Sequence, residues 1–266
     1  LSFEIDSTNT IQLSYSRRIT RPRFRHLLPF YSYSDPRDFY QGNPNLQPEF
    51  TDSYELGYLT YFKIGSLMSS VYYRHKTDVV ERITVVDSTT GLSSSYPVNL
   101  ATQDAFGLEL NLNFNFFDWW QLSGSGNFYR AITSGEYQGQ VLESDTYTFQ
   151  MNWQTNFKFW KIVKTQVSFN YRAPRITTQG RRSAVYFFNA GVGVQLFKGK
   201  GNLSFNVRDM FNTRVFQSVT ESEYFYKDSD FQWRSRQFTL NFTYRLNGGQ
   251  KDRGERGGGD FDDGGM

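Results

Sequence analysis

The chain has 266 residues, a formal net charge of +3 and no cysteine, and 18% of its residues are aromatic. The lack of cysteine excludes a disulfide framework and a thiolate metal site, and the small net charge does not indicate a nucleic-acid partner. The mean hydropathy of −0.59 is typical of a soluble chain, but a membrane-spanning β-strand needs an apolar residue only at every second position. A run of about 18 apolar residues, which a transmembrane helix requires, does not occur.

A strict alternation between Phe106 and Phe116 predicts a β-strand with one apolar face. The even positions are all Phe or Leu, and the odd positions are Gly, Glu or Asn. Several such segments keep phase for about nine to thirteen residues, which is enough to cross a bilayer at a tilt, whereas soluble strands usually have about five or six residues. The pattern favours an antiparallel transmembrane β-barrel over the alternative, a soluble sandwich or barrel.

About eleven strands are predicted in chain order. They lie near 1–6, 10–19, 50–62, 66–83, 103–117, 120–132, 146–159, 163–173, 184–197, 201–210 and 234–247. Short turns alternate with longer polar stretches, which are roughly 20–50, 86–102, 133–145, 173–183 and 213–233. Outer-membrane barrels have short periplasmic turns and long extracellular loops, so we assign the long stretches to the outside. Aromatic residues cluster beside the short turns at 116–120 and 157–160, where an interfacial girdle is expected.

The odd number of strands predicts that the chain is part of a larger barrel, because single-chain bacterial barrels have an even number. The first strand leads into a short turn, so it starts outside and requires a strand before it. The alternative is that Leu1–Ile5 is not a full strand and that the rest closes as a ten-stranded barrel. Residues 1–247 are predicted to form the barrel domain, and the Gly/Asp-rich residues 248–266 are predicted to be a disordered periplasmic tail.

Two segments have distinctive motifs, Gly42-Asn43-Pro44-Asn45-Leu46-Gln47-Pro48-Glu49 and Val207-Arg208-Asp209-Met210-Phe211-Asn212-Thr213. Both resemble TonB-dependent outer-membrane receptors, specifically their outer-membrane β-barrel family. In that family a similar Gly-Asn-Pro-x-Leu-x-Pro-Glu stretch ends an extracellular loop and starts the next inward strand. The resemblance thus marks a family loop motif formed by Asn43, Pro44, Leu46, Pro48 and Glu49.

The resemblance implies a plugged transporter of about 22 strands, of which this chain is the second, C-terminal half. It also implies uptake of a nutrient such as a metal chelate, vitamin, glycan or peptide. The partners it implies are outer-membrane lipid, a plug domain and TonB, and a surface lipoprotein is a further candidate. Neither a plug nor a TonB-contacting segment is recognised at the start of the sequence. A structural or secretion-associated barrel without transport is the alternative.

No catalytic motif, cofactor site or metal site is predicted. The two histidines, His26 and His75, are distant in sequence, and Asp78 lies on the opposite strand face from His75. A ten-stranded outer-membrane hydrolase, which would use His26 with Asp35 or Asp38, is the less favoured alternative. A run of basic residues could bind lipopolysaccharide phosphates or an anionic ligand; it comprises Arg17, Arg18, Arg21, Arg23 and Arg25.

Ligand recognition is predicted in the long loops, because strand hydrogen bonding fixes the barrel wall. The loop from Thr20 to Glu49 has several rigid aromatic residues and a guanidinium, which suit sugar rings, aromatic chelates or peptide side chains. The segment from Ser218 to Asp230 is a second candidate. The predicted ligand-binding residues are Tyr31, Tyr33, Arg37, Tyr40, Tyr224 and Tyr226.

Overall fold

The computed structural model describes residues 1–246 apart from positions 88, 161, 223 and 224, and gives the backbone alone at positions 34, 35 and 101. The predicted tail at 248–266 and the candidate ligand residue Tyr224 lie outside the described residues. No helix in the described part of the chain is long and apolar enough to cross a membrane.

The described residues form mostly β-strands. In chain order the first elements are β1 (Ser2–Glu4), β2 (Asn9–Thr20), α1 (Phe24–Leu27), β3 (Tyr31–Asp35), β4 (Asp38–Gln41), β5 (Glu49–Phe62), β6 (Gly65–Val86), β7 (Ser93–Phe117), β8 (Trp120–Tyr137) and β9 (Gln140–Phe159). They are followed by β10 (Val163–Arg172), β11 (Arg175–Thr177), β12 (Gly180–Arg182), β13 (Val185–Leu196), a 3-10 turn (Phe197–Gly199), β14 (Gly201–Arg208), β15 (Phe216–Ser222), β16 (Phe225–Phe231) and β17 (Gln237–Tyr244).

Eleven of these strands form one continuous antiparallel path, in the order β1-β2-β5-β6-β7-β8-β9-β10-β13-β14-β17. The predicted strand count and the all-β antiparallel fold are confirmed. Among the described residues, β1 pairs only with β2 and β17 only with β14. The ten-stranded closed alternative is therefore not the arrangement found. A separate four-stranded sheet lies at the ends of the long strands away from the short turns. It consists of β11, β12, β15 and β16.

One face of the long sheet is apolar and uncovered. Leu108 of β7 lies beside Val71 of β6 and Phe128 of β8. Leu108 and Leu110 are 41% and 39% exposed, whereas a soluble fold would bury such residues in a core. Asn111 projects from the opposite face, because successive side chains on a strand alternate. The uncovered apolar face is the surface that a bilayer covers in an outer-membrane barrel, and the Asn-rich face lines the lumen.

Stacked aromatic rings border this apolar face at the short turns. Phe117 stacks on Trp119 with 5.4 Å between ring centroids, and Trp119 contacts Phe159 at 6.2 Å. The indole N–H of Trp120 donates to Thr155 Oγ1 at 2.9 Å, so this hydroxyl on the lipid-facing side has a partner. These rings form the interfacial girdle predicted at 116–120 and 157–160.

Polar side-chain pairs border the same apolar face at its other end along the strands. His75 of β6 and Asp104 of β7 are direct cross-strand neighbours, with 2.8 Å between His75 Nδ1 and Asp104 Oδ1. The hydroxyl of Tyr73 donates to the same carboxylate at 2.7 Å. Arg130 and Asp145 form a similar pair at 2.6 Å on β8 and β9. His75 is thus not isolated, and its partner was missed because it lies 29 residues away in sequence.

The stretches at 86–102 and 133–145, predicted as loops, are largely strand. β8 and β9 continue to a two-residue turn at Gln138 and Gly139, whose φ angles of 51° and 79° fit a type I′ hairpin. β6 and β7 also extend to a short connection, past a bulge that contains Asp78. The alternation of apolar and polar residues did not predict these extensions. A hairpin that stands above the membrane does not need an apolar side that faces lipid.

Candidate ligand-binding loops

The family loop motif fixes the end of the first long loop to the extended β6–β7 hairpin. The side-chain amide of Asn43 donates to the carbonyl of Pro97 at 3.1 Å. The backbone N–H of Val80, beyond the β6 bulge, donates to Glu49 Oε1 at 2.7 Å. Leu46 is buried. The motif therefore acts as an anchor that sets the position of the loop above the barrel.

Gly42 permits a close backbone approach just before this motif. Its N–H donates to the carbonyl of Leu28 at 2.9 Å, and the N–H of Asn43 donates to the carbonyl of His26 at 2.7 Å. A Cβ at position 42 would lie 2.3 Å from the Leu28 oxygen, which excludes a side chain without movement of the backbone. This close pairing holds α1 against the start of the motif.

Tyr40 lies inside the loop rather than on its surface. Its side chain is 7% exposed, and two guanidinium groups lie over its ring, with Arg25 at 5.4 Å and Arg82 at 4.8 Å from the ring centroid. Its hydroxyl has no partner among the described residues. Burial raises the pKa of Tyr40, and burial followed by the nearby Arg82 lowers the pKa of His26. The burial favours a packing role for this predicted ligand residue.

Tyr31 and Tyr33 lie on the exposed face of the β3–β4 hairpin. They are 57% and 68% exposed, and both rings contact Phe39, at 5.2 Å and 6.2 Å between centroids. Tyr40 follows Phe39 on β4 and therefore faces the other way. Arg37 is exposed at the hairpin tip, where its carbonyl accepts the N–H of Ser93 at 2.8 Å. The hairpin thus gathers two of the predicted tyrosines into one aromatic surface.

The second candidate segment belongs to the separate four-stranded sheet. Tyr226 of β16 is exposed and pairs with Glu221 of β15. Gln179, in the β11–β12 turn, fixes this sheet to β6: its side-chain oxygen accepts the N–H of Thr84 at 2.8 Å, and its amide donates to the Thr84 carbonyl at 3.2 Å. The small sheet is therefore attached to the β6–β7 hairpin that also holds the first loop.

A salt bridge joins the two candidate loops. Lys227 Nζ of β16 lies 2.6 Å from Asp38 Oδ1 of β4, and both side chains are mostly shielded from solvent. Lys227 also donates to Ser93 Oγ at 3.4 Å. Among the described ion pairs, Asp38 is paired with Lys227 and not with His26. The His26–Asp38 pair expected for the hydrolase alternative is therefore not formed. No local sequence pattern indicates this long-range contact.

We expect Lys227→Met to loosen the first loop, because the substitution leaves the Asp38 carboxylate without its charged partner. The loss should be about 1–3 kcal/mol. Trypsin should then cut the complete receptor after Arg23 and Arg25 about tenfold faster, since cleavage follows the opening equilibrium. Lys198→Met, in the short turn at the opposite end of the strands, is the matched control. Equal cleavage rates in the two variants would show that the salt bridge does not hold the loop.

The charges of several arginines affect Glu81 where the small sheet meets β6. Arg175 and Arg182 are direct cross-strand neighbours on β11 and β12. Burial lowers the pKa of Arg182, and the charge of Arg175 adds to this, while Glu81 acts in the opposite direction. Burial raises the pKa of Glu81, against the effect of Arg182 and Arg175. The charges of Arg82 and Arg172 also lower the pKa of Arg182. The environment is therefore electropositive and attracts anions. These residues were not among the predicted ligand-binding set.

Residues 1–244 match the model of the outer membrane protein beta-barrel family. The chain belongs to this family. The predicted location in the cell outer membrane and the predicted likeness to TonB-dependent receptors are thereby confirmed. No curated protein matches the sequence.

Solved outer-membrane receptors have the same fold as this family member. The ferric yersiniabactin uptake receptor FyuA from Yersinia pestis is 16% identical, with 91% of this chain and 36% of that chain covered and a TM-score of 0.59. The copper transporter OprC is 12% identical, with 91% and 38% covered and a TM-score of 0.60. The siderophore receptor PiuA from Acinetobacter baumannii is 13% identical, with 91% and 34% covered and a TM-score of 0.58. The chain thus spans little more than a third of the length of these structures.

Proposed function

We propose that this chain is the C-terminal half of a 22-stranded barrel in a TonB-dependent receptor that imports a nutrient across the outer membrane. Eleven antiparallel strands with a lipid-facing and a lumen-facing side are half of that number. The similar structures are uptake receptors and a copper transporter by name, which supports import as the function. A plug domain and TonB are the partners that such import requires, and a surface lipoprotein is a further candidate partner.

The observation that carries this proposal is the loop assembly at one end of the barrel wall. Two loops that are far apart in sequence are joined by the Lys227–Asp38 salt bridge, and both are attached to the β6–β7 hairpin. The assembly carries exposed tyrosines, Tyr31, Tyr33 and Tyr226, and a group of arginines around Arg182. A fixed arrangement of aromatic and cationic groups suits capture of a nutrient that carries rings and negative charge.

Transport can be tested by growth of a strain that lacks the complete gene. Growth is compared on iron-limited medium, vitamin-limited medium, a glycan as carbon source and a peptide as nitrogen source. We expect a defect on one medium, restored by the gene and reproduced by deletion of tonB. The second hypothesis, a structural barrel, predicts normal growth on all four media together with increased entry of vancomycin through the outer membrane. That combination would contradict the transport proposal.

A further inference from the structure

A cavity of about 140 Å³ lies beside the turn that follows β14. Arg208 of β14 and Gln237 of β17 are cross-strand neighbours in its wall. Their neighbours Val207 and Phe238 belong to the apolar series of the outward face, so Arg208 and Gln237 lie on the lumen side. The lining also includes Asp209, Arg214, Phe216, Trp233, Arg234 and Ser235.

The charge of this cavity is strongly positive. Three guanidinium groups, from Arg208, Arg214 and Arg234, line it with a single carboxylate, that of Asp209. Asp209 is buried, and its two oxygens accept the backbone N–H groups of Thr213 at 2.9 Å and Arg214 at 3.2 Å. Within the described part of the chain, no carboxylate lies within ion-pair distance of these three guanidiniums. Among the described residues, these cationic groups therefore have no carboxylate as a counter-ion.

Arg214 has an unused hydrogen-bond donor next to aromatic rings. Its Nε is buried and has no partner among the described residues, which is a costly arrangement unless a ligand or water supplies an acceptor. Its guanidinium lies 4.7 Å from the ring centroid of Phe187 and 5.9 Å from that of Phe216. The exposed indole of Trp233 adds a further flat surface to the lining. Charge and flat apolar surfaces thus meet in one small space.

The second family-like motif holds this wall in place. Asp209 and Asn212 both have left-handed backbone angles, with φ of 52° and 57°. The Asn212 side-chain oxygen accepts the N–H of Arg236 at 3.1 Å, which connects the turn to the segment that carries Trp233 and Arg234. The Thr213 hydroxyl donates to the Tyr186 carbonyl at 2.7 Å. The backbone that carries Arg214 and Arg234 is therefore held in place before any ligand arrives, which lowers the entropic cost of binding.

We propose that this cavity, defined by Arg208, Arg214, Arg234, Phe216 and Trp233, is a binding site for the carboxylate-bearing aromatic part of an anionic small molecule. The guanidinium fork binds a carboxylate through paired hydrogen bonds, and the aromatic side chains accept the ring. The volume is close to the roughly 150 Å³ that holds a benzene ring in an engineered protein cavity. The site narrows the class of ligand that the proposed receptor would import. Binding to the site does not require import, and only its role in nutrient uptake rests on the proposed function.

The test measures binding of three small probes to the purified complete receptor in detergent by ligand-observed NMR. Phthalate carries an aromatic ring and two carboxylates, succinate carries only the carboxylates, and benzamide carries only a neutral ring. We expect phthalate to bind more tightly than succinate, and benzamide to bind weakest. Arg208→Gln, Arg214→Gln and Arg234→Gln should each raise the phthalate Kd about tenfold or more, because each removes a charge-assisted hydrogen bond. Arg181→Gln, on exposed β12, is the matched control and should leave the Kd unchanged.

The outcome is informative even if one variant fails to assemble. Heat-dependent migration on gels identifies folded barrels, and the exposed Arg208 and Arg234 provide two variants that do not disturb the packing of Arg214 on Phe187. Equal Kd values for phthalate and benzamide, or equal phthalate Kd values in the three variants and the Arg181 control, would overturn the proposal. Binding is measured without TonB or energy, so the binding test and the uptake test are independent. Phthalate binding can be absent in a receptor that still imports a nutrient, and it can be present in a receptor that imports nothing.

Discussion

Leu110→Arg is expected to prevent assembly of the barrel or to destabilise it by about 2–4 kcal/mol, the cost of a basic residue on the lipid face near the bilayer midplane. Leu110 lies midway along β7 between the charged Asp104 at one border of the apolar face and Phe116 at the other. Its side chain remains 39% exposed on the outward apolar face, so lipid contacts the part that the protein leaves uncovered. Denaturant titration of the complete barrel in lipid vesicles measures the loss in free energy of unfolding.

Asn111→Ser is the matched control on the neighbouring position of β7. The Asn111 amide faces the lumen, where it donates to Glu109 Oε1 at 3.1 Å, and a serine there remains in a polar environment. We expect a change of less than about 0.5 kcal/mol, as for most surface substitutions. Similar losses in Leu110→Arg and Asn111→Ser would contradict the assignment of the two faces.

Combined replacement of Tyr31 and Tyr33 by alanine is expected to abolish most nutrient uptake while the barrel stays in the membrane. The two rings form the exposed surface of the β3–β4 hairpin with Phe39, and neither packs under the loop. Truncation of aromatic residues that anchor a ligand typically costs about 2 kcal/mol or more each, which corresponds to about thirtyfold in Kd. Uptake by cells that produce the complete receptor, normalised to its amount in the outer membrane, provides the measurement.

Tyr40→Phe separates ligand contact from loop packing. The substitution removes only a hydroxyl that has no partner among the described residues and keeps the ring contacts with Arg25 and Arg82. We expect uptake to remain at the unsubstituted level. Full uptake in the Tyr31/Tyr33 variant would move recognition to another surface, and loss of uptake in Tyr40→Phe would show that this buried hydroxyl takes part in recognition.

The membrane strands were predictable because the bilayer imposes a local rule. Lipid on one side and a polar lumen on the other require alternation at every second residue, so strand positions, faces and the girdle can be recognised within a single segment such as 106–116. The same rule explains why β8 and β9 were predicted too short. Above the bilayer the rule no longer applies, and only the turn at Gln138 and Gly139 ends the hairpin.

The candidate site was predicted only in part, because its formation depends on contacts between distant segments. Composition identified the loop with Tyr31 and Tyr33, and the structure places both on an exposed surface. Composition could not distinguish Tyr40 from these exposed tyrosines, because only the folded hairpin turns its side chain inward. The Lys227–Asp38 pair and the arginines around Glu81 join segments of different loops, and no local pattern encodes such a pairing.

The sequence by itself determined the number of strands in the barrel wall, the face that each of them presents to lipid, and the ends at which short turns occur. These properties follow from the period of two along a single strand and from local turn chemistry. Only the tertiary structure decided which loops meet, that His75 pairs with Asp104, and that Arg208, Arg214 and Arg234 line one cavity. Such contacts depend on strand register and on loops that fold over the sheet, and the same alternating sequence is compatible with many different arrangements of its loops.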